Sequence, residues 1–323
     1  MNFLKKISKK LFLCLLFIPM VSTYFVGSYF VNYALVENSG GENRPSSEMP
    51  SQEDEIIEQR QTLLEEKRDQ WLQAIEDLTE PVTLKTRDEL NLEGHIYRQK
   101  EPSHQWMIIV HGYQSSEKRS QTLAASFYDL GYNVVTYSLR GHTPSEGKYI
   151  TMGSKDADDL TQWINHVITI DPASKITLHG TSMGGATVLN VSGQDLPPQV
   201  KTIIDDCGYA NLWEIFSDEL KLRFNLPSFP VLHMADIMGN IKAGIDISSI
   251  NPIENVEKST LPMMFIHTTG DDFIPYEMTE AMYQAKQTGN KEQYIIEGFG
   301  HGDAVFADEA YFEKIDDFIK SNQ

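Results

Sequence analysis

The chain has 323 residues, and its 46 acidic against 27 basic side chains give a net charge of −19. That charge offers no electrostatic hold on nucleic acid, no basic patch with interleaved aromatics is present, and anionic substrates are disfavoured. Its two cysteines, Cys14 and Cys207, lie in an apolar leader and in the body, so no intrachain disulfide is expected and core burial alone must hold the body together.

Residues 1–10 form a basic stub with Lys5, Lys6, Lys9 and Lys10, and residues 11–36 carry no charged side chain. A run longer than the about 20 residues needed to cross a bilayer predicts a transmembrane signal-anchor. The lysines before it put the N-terminus inside, with Tyr24, Tyr29 and Tyr33 at the outer interface. The expected location is the cell membrane, single-pass, with the body at the cell surface. The competing expectation is a cleaved signal peptide and a secreted protein. Val26-Gly27-Ser28 is a passable cleavage site, but no A-x-A sequence is present. Ser22, Thr23, Ser28 and Asn32 make the second half of the run more polar than an ideal span.

Residues 37–52, rich in Gly, Ser, Pro and Glu, read as a flexible linker. Across residues 53–80, Ile57, Leu64, Trp71 and Leu78 recur at seven-residue intervals with Ile75 in the same stripe, which predicts an amphipathic helix ending near Pro81. Packing on its own domain is the expectation for that stripe. Its acidic surplus argues against direct contact with anionic lipid.

Residues 81–323 alternate strand and helix signals, as a mostly parallel sheet requires. Strands are expected at 82–86, 94–98, 106–111, 133–138, 176–180, 201–206, 263–267 and 293–297. Helices are expected at 118–130, 154–170, 276–287 and 309–320. The carboxylates of Asp156, Asp158 and Asp159 fall in the first turn of one helix and are expected to be solvated there, where they suit its dipole.

The chemistry concentrates at the ends of four strands. Trp106-Met-Ile-Ile-Val-His111 runs into Gly112-Tyr113-Gln114; His111, just before the glycine, is expected to stiffen that turn. Between a strand and a helix lies Gly180-Thr-Ser-Met-Gly184, the nucleophile-elbow pattern, with small residues because the turn is sharp and Ser182 exposed above the sheet. The backbone N–H of Met183 and that of Tyr113 are the expected oxyanion donors. After the strand Met263–His267 come Asp271 and Asp272, either of which can orient a histidine. After the last strand comes His301, on a glycine-flanked loop suited to a general base. Cys207, at the end of another strand, is expected to be a buried thiol.

The order Val110-His-Gly-Tyr113, Leu139-Arg-Gly-His142, Gly180-Thr-Ser-Met-Gly184, His267-x3-Asp271-x2-Ile274-Pro275 and Gly300-His301 resembles the α/β-hydrolase superfamily over roughly residues 82–320. With Ser145-Glu-Gly147 and Tyr149-Ile-Thr-Met-Gly153, it is similar to membrane-anchored bacterial cell-surface serine hydrolases, related to esterases and to prolyl-oligopeptidase-type peptidases. Thr268 and Thr143 stand where many relatives have glycine. The resemblance implies an α/β-hydrolase fold with a mostly parallel eight-stranded sheet. It makes Asp271 the acid of a Ser182–Asp271–His301 triad, and residues 209–255 a helical lid. It calls for no metal or cofactor. The implied function is cleavage of small or medium esters through an acyl-enzyme. A serine peptidase for short peptides is the alternative, and a non-catalytic surface binding protein a third. Oligomeric state is left open.

Overall fold

The structure, a computed structural model, describes residues 20–39 and 52–323. The expected basic stub 1–10, the first part of the apolar run (11–19) and most of the linker (40–51) lie outside the described residues. The strands are β1 (Thr79–Lys85), β2 (Asn91–Tyr97), β3 (Gln105–Val110), β4 (Asn133–Tyr137), β5 (Lys175–Thr181), β6 (Val200–Asp206), β7 (Met263–Thr268) and β8 (Lys291–Ile296). The helices are α1 (Ser28–Leu35), α2 (Gln52–Ala74), α3 (Glu117–Asp129), α4 (Lys155–Ile170), α5 (Met183–Ser192), α6 (Leu212–Phe224), α7 (Ser228–Ala243), α8 (Pro252–Lys258), α9 (Tyr276–Ala285), α10 (Ala304–Ala307) and α11 (Tyr311–Ser321).

The eight strands form one sheet in the order β1-β2-β4-β3-β5-β6-β7-β8. Only β2 runs antiparallel to its neighbours β1 and β4; every other pairing is parallel. The inner strands read as nearly continuous apolar runs because both faces are covered by helices. Successive residues then divide between two cores. Ile108, Val110, Ile203 and Phe265 pack with Trp163 of α4 and Val188 of α5. Met107, Ile109, Ile204 and Ile266 pack with Phe127 of α3 and Ile315 of α11 on the other face.

The expected helix 53–80 ends at Ala74, and β1 begins at Thr79, ahead of Pro81. The sheet takes Pro81 because β1 is an edge strand, where a missing N–H is tolerated. The stripe of α2 packs on its own domain: Trp71 sits against Tyr97 and Tyr128 with ring centroids 4.7 and 5.5 Å away. Buried Arg68 donates to Thr122 Oγ1 at 3.1 Å, and Arg60 donates to Phe306 O at 2.7 Å. Trp71→Ala is therefore expected to lower the unfolding free energy by about 3–5 kcal/mol, the usual cost of deleting a buried aromatic. Urea unfolding of both proteins checks this, and equal midpoints would mean that α2 does not fold with the sheet.

One expectation is corrected by the structure. The carboxylates at the start of α4 are not all solvated: Asp156 and Asp159 are buried, and only Asp158 is exposed. Asp156 accepts hydrogen bonds from Thr151 Oγ1 and Gly153 N, and Asp159 binds Arg140, whose other edge holds Asp88. A buried carboxylate is tolerable only with such partners.

The membrane span expected at 11–36 is described from Met20 onward. Helix runs from Met20 to Leu35, with a π-helical stretch at Thr23–Gly27, and packs against α7. Val31 and Leu35 are buried in the main core. Burial of each side chain contributes roughly 1.5–3 kcal/mol. Beyond it, Ile150 N donates to Leu35 O, Glu37 accepts from Thr143 N and Oγ1, and Asn38 N donates to Gln114 Oε1. Among the described residues no helix is long and apolar enough to cross a membrane.

Candidate active site

Ser182 stands between β5 and α5 with φ 59° and ψ −120°, a sparsely populated conformation for a residue with a Cβ. Its glycine neighbours are required by contact: a Cβ on Gly180 would meet Gly184 O at 2.1 Å, and one on Gly184 would meet Val110 O at 2.1 Å. The elbow is held from beneath by Ser182 N donating to Asp206 O at 2.8 Å. These contacts drive β5 and α5 so close together that the serine side chain can only project upward.

Ser182, Asp271 and His301 come from three strand ends and meet. Ser182 Oγ donates to His301 Nε2 at 2.8 Å, and His301 Nδ1 donates to Asp271 Oδ2 at 2.6 Å. The carboxylate's other oxygen, Oδ1, accepts from Phe273 N and Ile274 N, both at 2.9 Å. Burial pushes the Asp271 pKa up, but the hydrogen bonds from His267 and His301 outweigh it and hold the carboxyl well below its usual range. Its neighbour Asp272 lines the adjacent cavity instead. The loops carrying Asp271 and His301 are tied together by Thr268 Oγ1 donating to Gly300 O and Gly270 N to Gly298 O. The start of α2 reaches the same place, with Phe299 N donating to Glu53 at 3.3 Å.

The turn after β3 lies against the serine: a Cβ on Gly112 would come within 3.2 Å of the Ser182 Cβ. Tyr113 and Met183 both line the cavity with Ser182 and His301. Met183 is the first residue of α5, so its N–H has no partner within the helix. His111 braces this turn: its Nδ1 donates to Gly112 O at 2.8 Å, and its Nε2 accepts from Leu139 N at 3.0 Å. Burial and the neighbouring His142 lower its pKa to about 3, which keeps that ring neutral.

His267 is the residue whose part the sequence did not disclose. Fully buried at the end of β7, it lies with Nε2 3.1 Å from Asp271 Oδ2 and 2.9 Å from Ile274 O. Its Nδ1 is 2.7 Å from Thr279 Oγ1. Asp271 Oδ2 thus faces two histidines. The sequence signal was a histidine at a strand's C-terminal end shortly before the acid.

Cys207, as expected, is buried, and burial followed by the carboxylates of Asp206 and Asp271 raises its thiol well above the usual range. Among the described residues, Cys207, Asp271 and His301 are the group whose ligand atoms have metal-binding spacing, within 4.8 Å of one another. Two of the three are already engaged in the Ser182 hydrogen-bond chain.

A cavity of about 500 Å³ opens beside Ser182 and His301. The expected lid 209–255 is helical, made of α6, α7 and α8, and the structure sorts its apolar residues. Phe216, Leu220, Phe224 and Leu232 line the cavity, Met238 packs into the core, and Phe229 is exposed. One further wall was not foreseen: it comes from Phe30, Val31, Tyr33 and Ala34 of α1, with Phe30 and Tyr33 packed on Phe224 of α6. Tyr113 Oη donates to Ala34 O at 2.8 Å, which ties that wall to the turn after β3.

Residues 101–221 match the family model described as serine aminopeptidase, S33. The protein YqkD of Bacillus subtilis is 33% identical over 200 residues, 60% of this chain and 64% of its own length. The chain thus spans less than two thirds of that relative. A Danio rerio relative, lysophosphatidylserine lipase ABHD12, is 28% identical over 209 residues, 60% of this chain and 51% of its own. Among solved structures, the Pyrococcus furiosus esterase Pf2001 superposes with a TM-score of 0.62 at 22% identity, over 76% of this chain and 93% of that one, which is a likeness of fold. With the sheet order and the elbow described above, these matches show the α/β-hydrolase fold and support an α/β-hydrolase superfamily member of the hydrolase type.

Proposed function

We propose that this enzyme cleaves esters of medium-length acyl chains through an acyl-enzyme on Ser182, with His301 as general base and acid and Asp271 as its orienting carboxylate. The observation that carries the reading is the unbroken chain Ser182 Oγ, His301, Asp271 Oδ2, at 2.8 and 2.6 Å. His301 Nε2 takes the Ser182 proton as Oγ attacks the ester carbonyl. The N–H groups of Met183 and Tyr113 stabilise the resulting oxyanion. His301 then protonates the departing alkoxide, activates a water against the acyl-enzyme, and returns the proton to Ser182 as the acid leaves.

The substrate class follows from the cavity. Its lining is mostly apolar, and at about 30 Å³ for each water-sized group its about 500 Å³ accommodates an acyl chain on the order of ten carbons or more. The Danio rerio relative's name, a lysophosphatidylserine lipase, agrees with a single-acyl substrate. Short peptides are the second reading, favoured by the family model's description as an aminopeptidase. A peptide amine would require an acid in the cavity; Glu219 there is paired with Arg223 at 2.6 Å, and Asp272 also lines it. In the proposed domain organisation, residues 79–323 form the hydrolase domain with its lid, and residues 52–74 a helix docked on it. Residues 37–52 link that helix to the leader. The apolar run beginning at residue 11 ties the enzyme to the membrane.

Labelling by a fluorophosphonate, with Ser182→Ala as control, tests the nucleophile, and matched p-nitrophenyl esters and peptide amides separate the two readings. Amide turnover exceeding ester turnover would overturn the esterase reading. Ala34→Phe places a ring in the cavity wall and is expected to reduce kcat/KM for dodecanoyl esters at least tenfold while leaving acetyl esters within about twofold, because only the longer chain reaches α1. A parallel loss across all chain lengths would remove α1 from the acyl site.

A further inference from the structure

We infer that the face of the lid shared by residues 20–29 and α7 is seated on the lipid bilayer, so that the cavity behind it receives esters partitioned in the membrane. The bilayer seating stands on surface and chain connectivity; only the delivery of substrate rests on the hydrolase reading above.

Among the described residues, most large exposed apolar side chains lie on the N-terminal helix and the lid, with Leu63 and Leu130 elsewhere. Met20, Tyr24, Phe25 and Tyr29 lie on the N-terminal helix, Ile237 and Ile241 on α7, with Phe229 at the start of α7 and Leu222 on α6. Phe25 is 66% exposed and Ile241 69%. The two helices meet at Gly27, where an added Cβ would lie 2.1 Å from Met234 O. Their exposed side chains therefore flank a single crossing. An apolar surface of this kind marks a contact site.

Chain connectivity selects the occupant. The apolar run that begins at residue 11 leads into Met20, the helix is already against the lid at Gly27, and Val31 is in the core. At 1.5 Å per residue, Met20 to Gly27 spans only about 11 Å. No tether separates the apolar leader from the lid, so a leader inserted in lipid brings this face to the bilayer. The flanking chemistry fits an interface: Tyr24 and Tyr29 are amphipathic aromatics, and Lys242 Nζ lies 6.0 Å from the Tyr24 ring centroid, where it can meet lipid phosphate. The same helices line the cavity with their other faces, through Phe30, Val31 and Ala34 on one and Val231, Leu232 and Ala235 on the other. Cavity and surface are thus about one helix diameter apart, ~10 Å.

The test uses the full chain in phosphatidylcholine vesicles. A Cys14→Ser, Ile241→Cys protein, labelled at position 241 with an environment-sensitive fluorophore, is expected to emit blue-shifted light that bilayer nitroxide lipids quench. Emission characteristic of water, or shielding without lipid quenching as when a second copy covers the face, overturns the proposal. This readout does not depend on turnover, so a failed hydrolase reading leaves it standing. For delivery, Ile237→Glu with Ile241→Glu is expected to slow hydrolysis of a vesicle-embedded dodecanoyl ester at least tenfold, with soluble acetyl ester turnover within twofold. Equal effects on both esters overturn delivery through this face.

Discussion

Ser182→Ala is expected to reduce kcat for a preferred ester by about 10⁶-fold, the loss seen when a serine hydrolase loses its nucleophile. The side chain removed is the one whose oxygen lies 2.8 Å from His301 Nε2. The fold should survive, because the elbow is held by backbone contacts, Ser182 N to Asp206 O and the close packing of Gly180 on Gly184. Steady-state kinetics with a matched urea curve checks both halves. A variant of native stability that retains a tenth of wild-type activity would refute Ser182 as nucleophile.

Asp271→Asn is expected to lower kcat by about 10⁴-fold, and the reason lies in the loop around it. Phe273 N and Ile274 N both donate to Oδ1, so an asparagine must keep its carbonyl oxygen there and turn its NH₂ toward His301. His301 Nδ1 would then have to accept rather than donate, which moves its proton to Nε2 and leaves nothing to accept the Ser182 proton. The NH₂ would also confront His267 Nε2, now 3.1 Å from the carboxylate. Asp272→Asn, which leaves these contacts intact, is expected to stay within about tenfold of wild type. Kinetics of the two variants decide between the neighbouring aspartates, and a larger loss from Asp272→Asn would reverse the assignment.

The bonds around Asp271 also predict the acid limit. Its pKa is lower in the folded protein than in the unfolded chain, so it contributes stability that is present above the unfolded carboxylate value of about 3.9. That contribution is lost as pH falls through the folded value. Asp271→Asn should therefore reduce the acid-induced loss of stability below about pH 4, measurable by urea unfolding at pH 3 and pH 6.

By itself, the sequence determined the sheet, the elbow and the positions of the site loops, because these are written in short-range pattern. Runs such as Met263–Ile266 can only be buried strands, and Gly180-Thr-Ser-Met-Gly184 admits a turn too tight for side chains. Tertiary structure decided which partner each ambiguous group meets. The polarity of Asp156 and Asp159 reads as surface until Arg140, Thr151 and Gly153 are brought to them. His267 reads as a strand-end landmark until β7 delivers it to Asp271. The lid's apolar residues are alike in sequence, and only packing divides cavity from core from surface. Residues 20–35 carry the clearest case. An apolar helix leaves water equally well for lipid or for protein, so hydropathy cannot distinguish a bilayer from a lid. The polar Ser22, Thr23, Ser28 and Asn32 were the trace left in the sequence. The decision itself came from close approach at Gly27 and from burial of Val31 and Leu35, contacts made by residues some two hundred positions further along the chain.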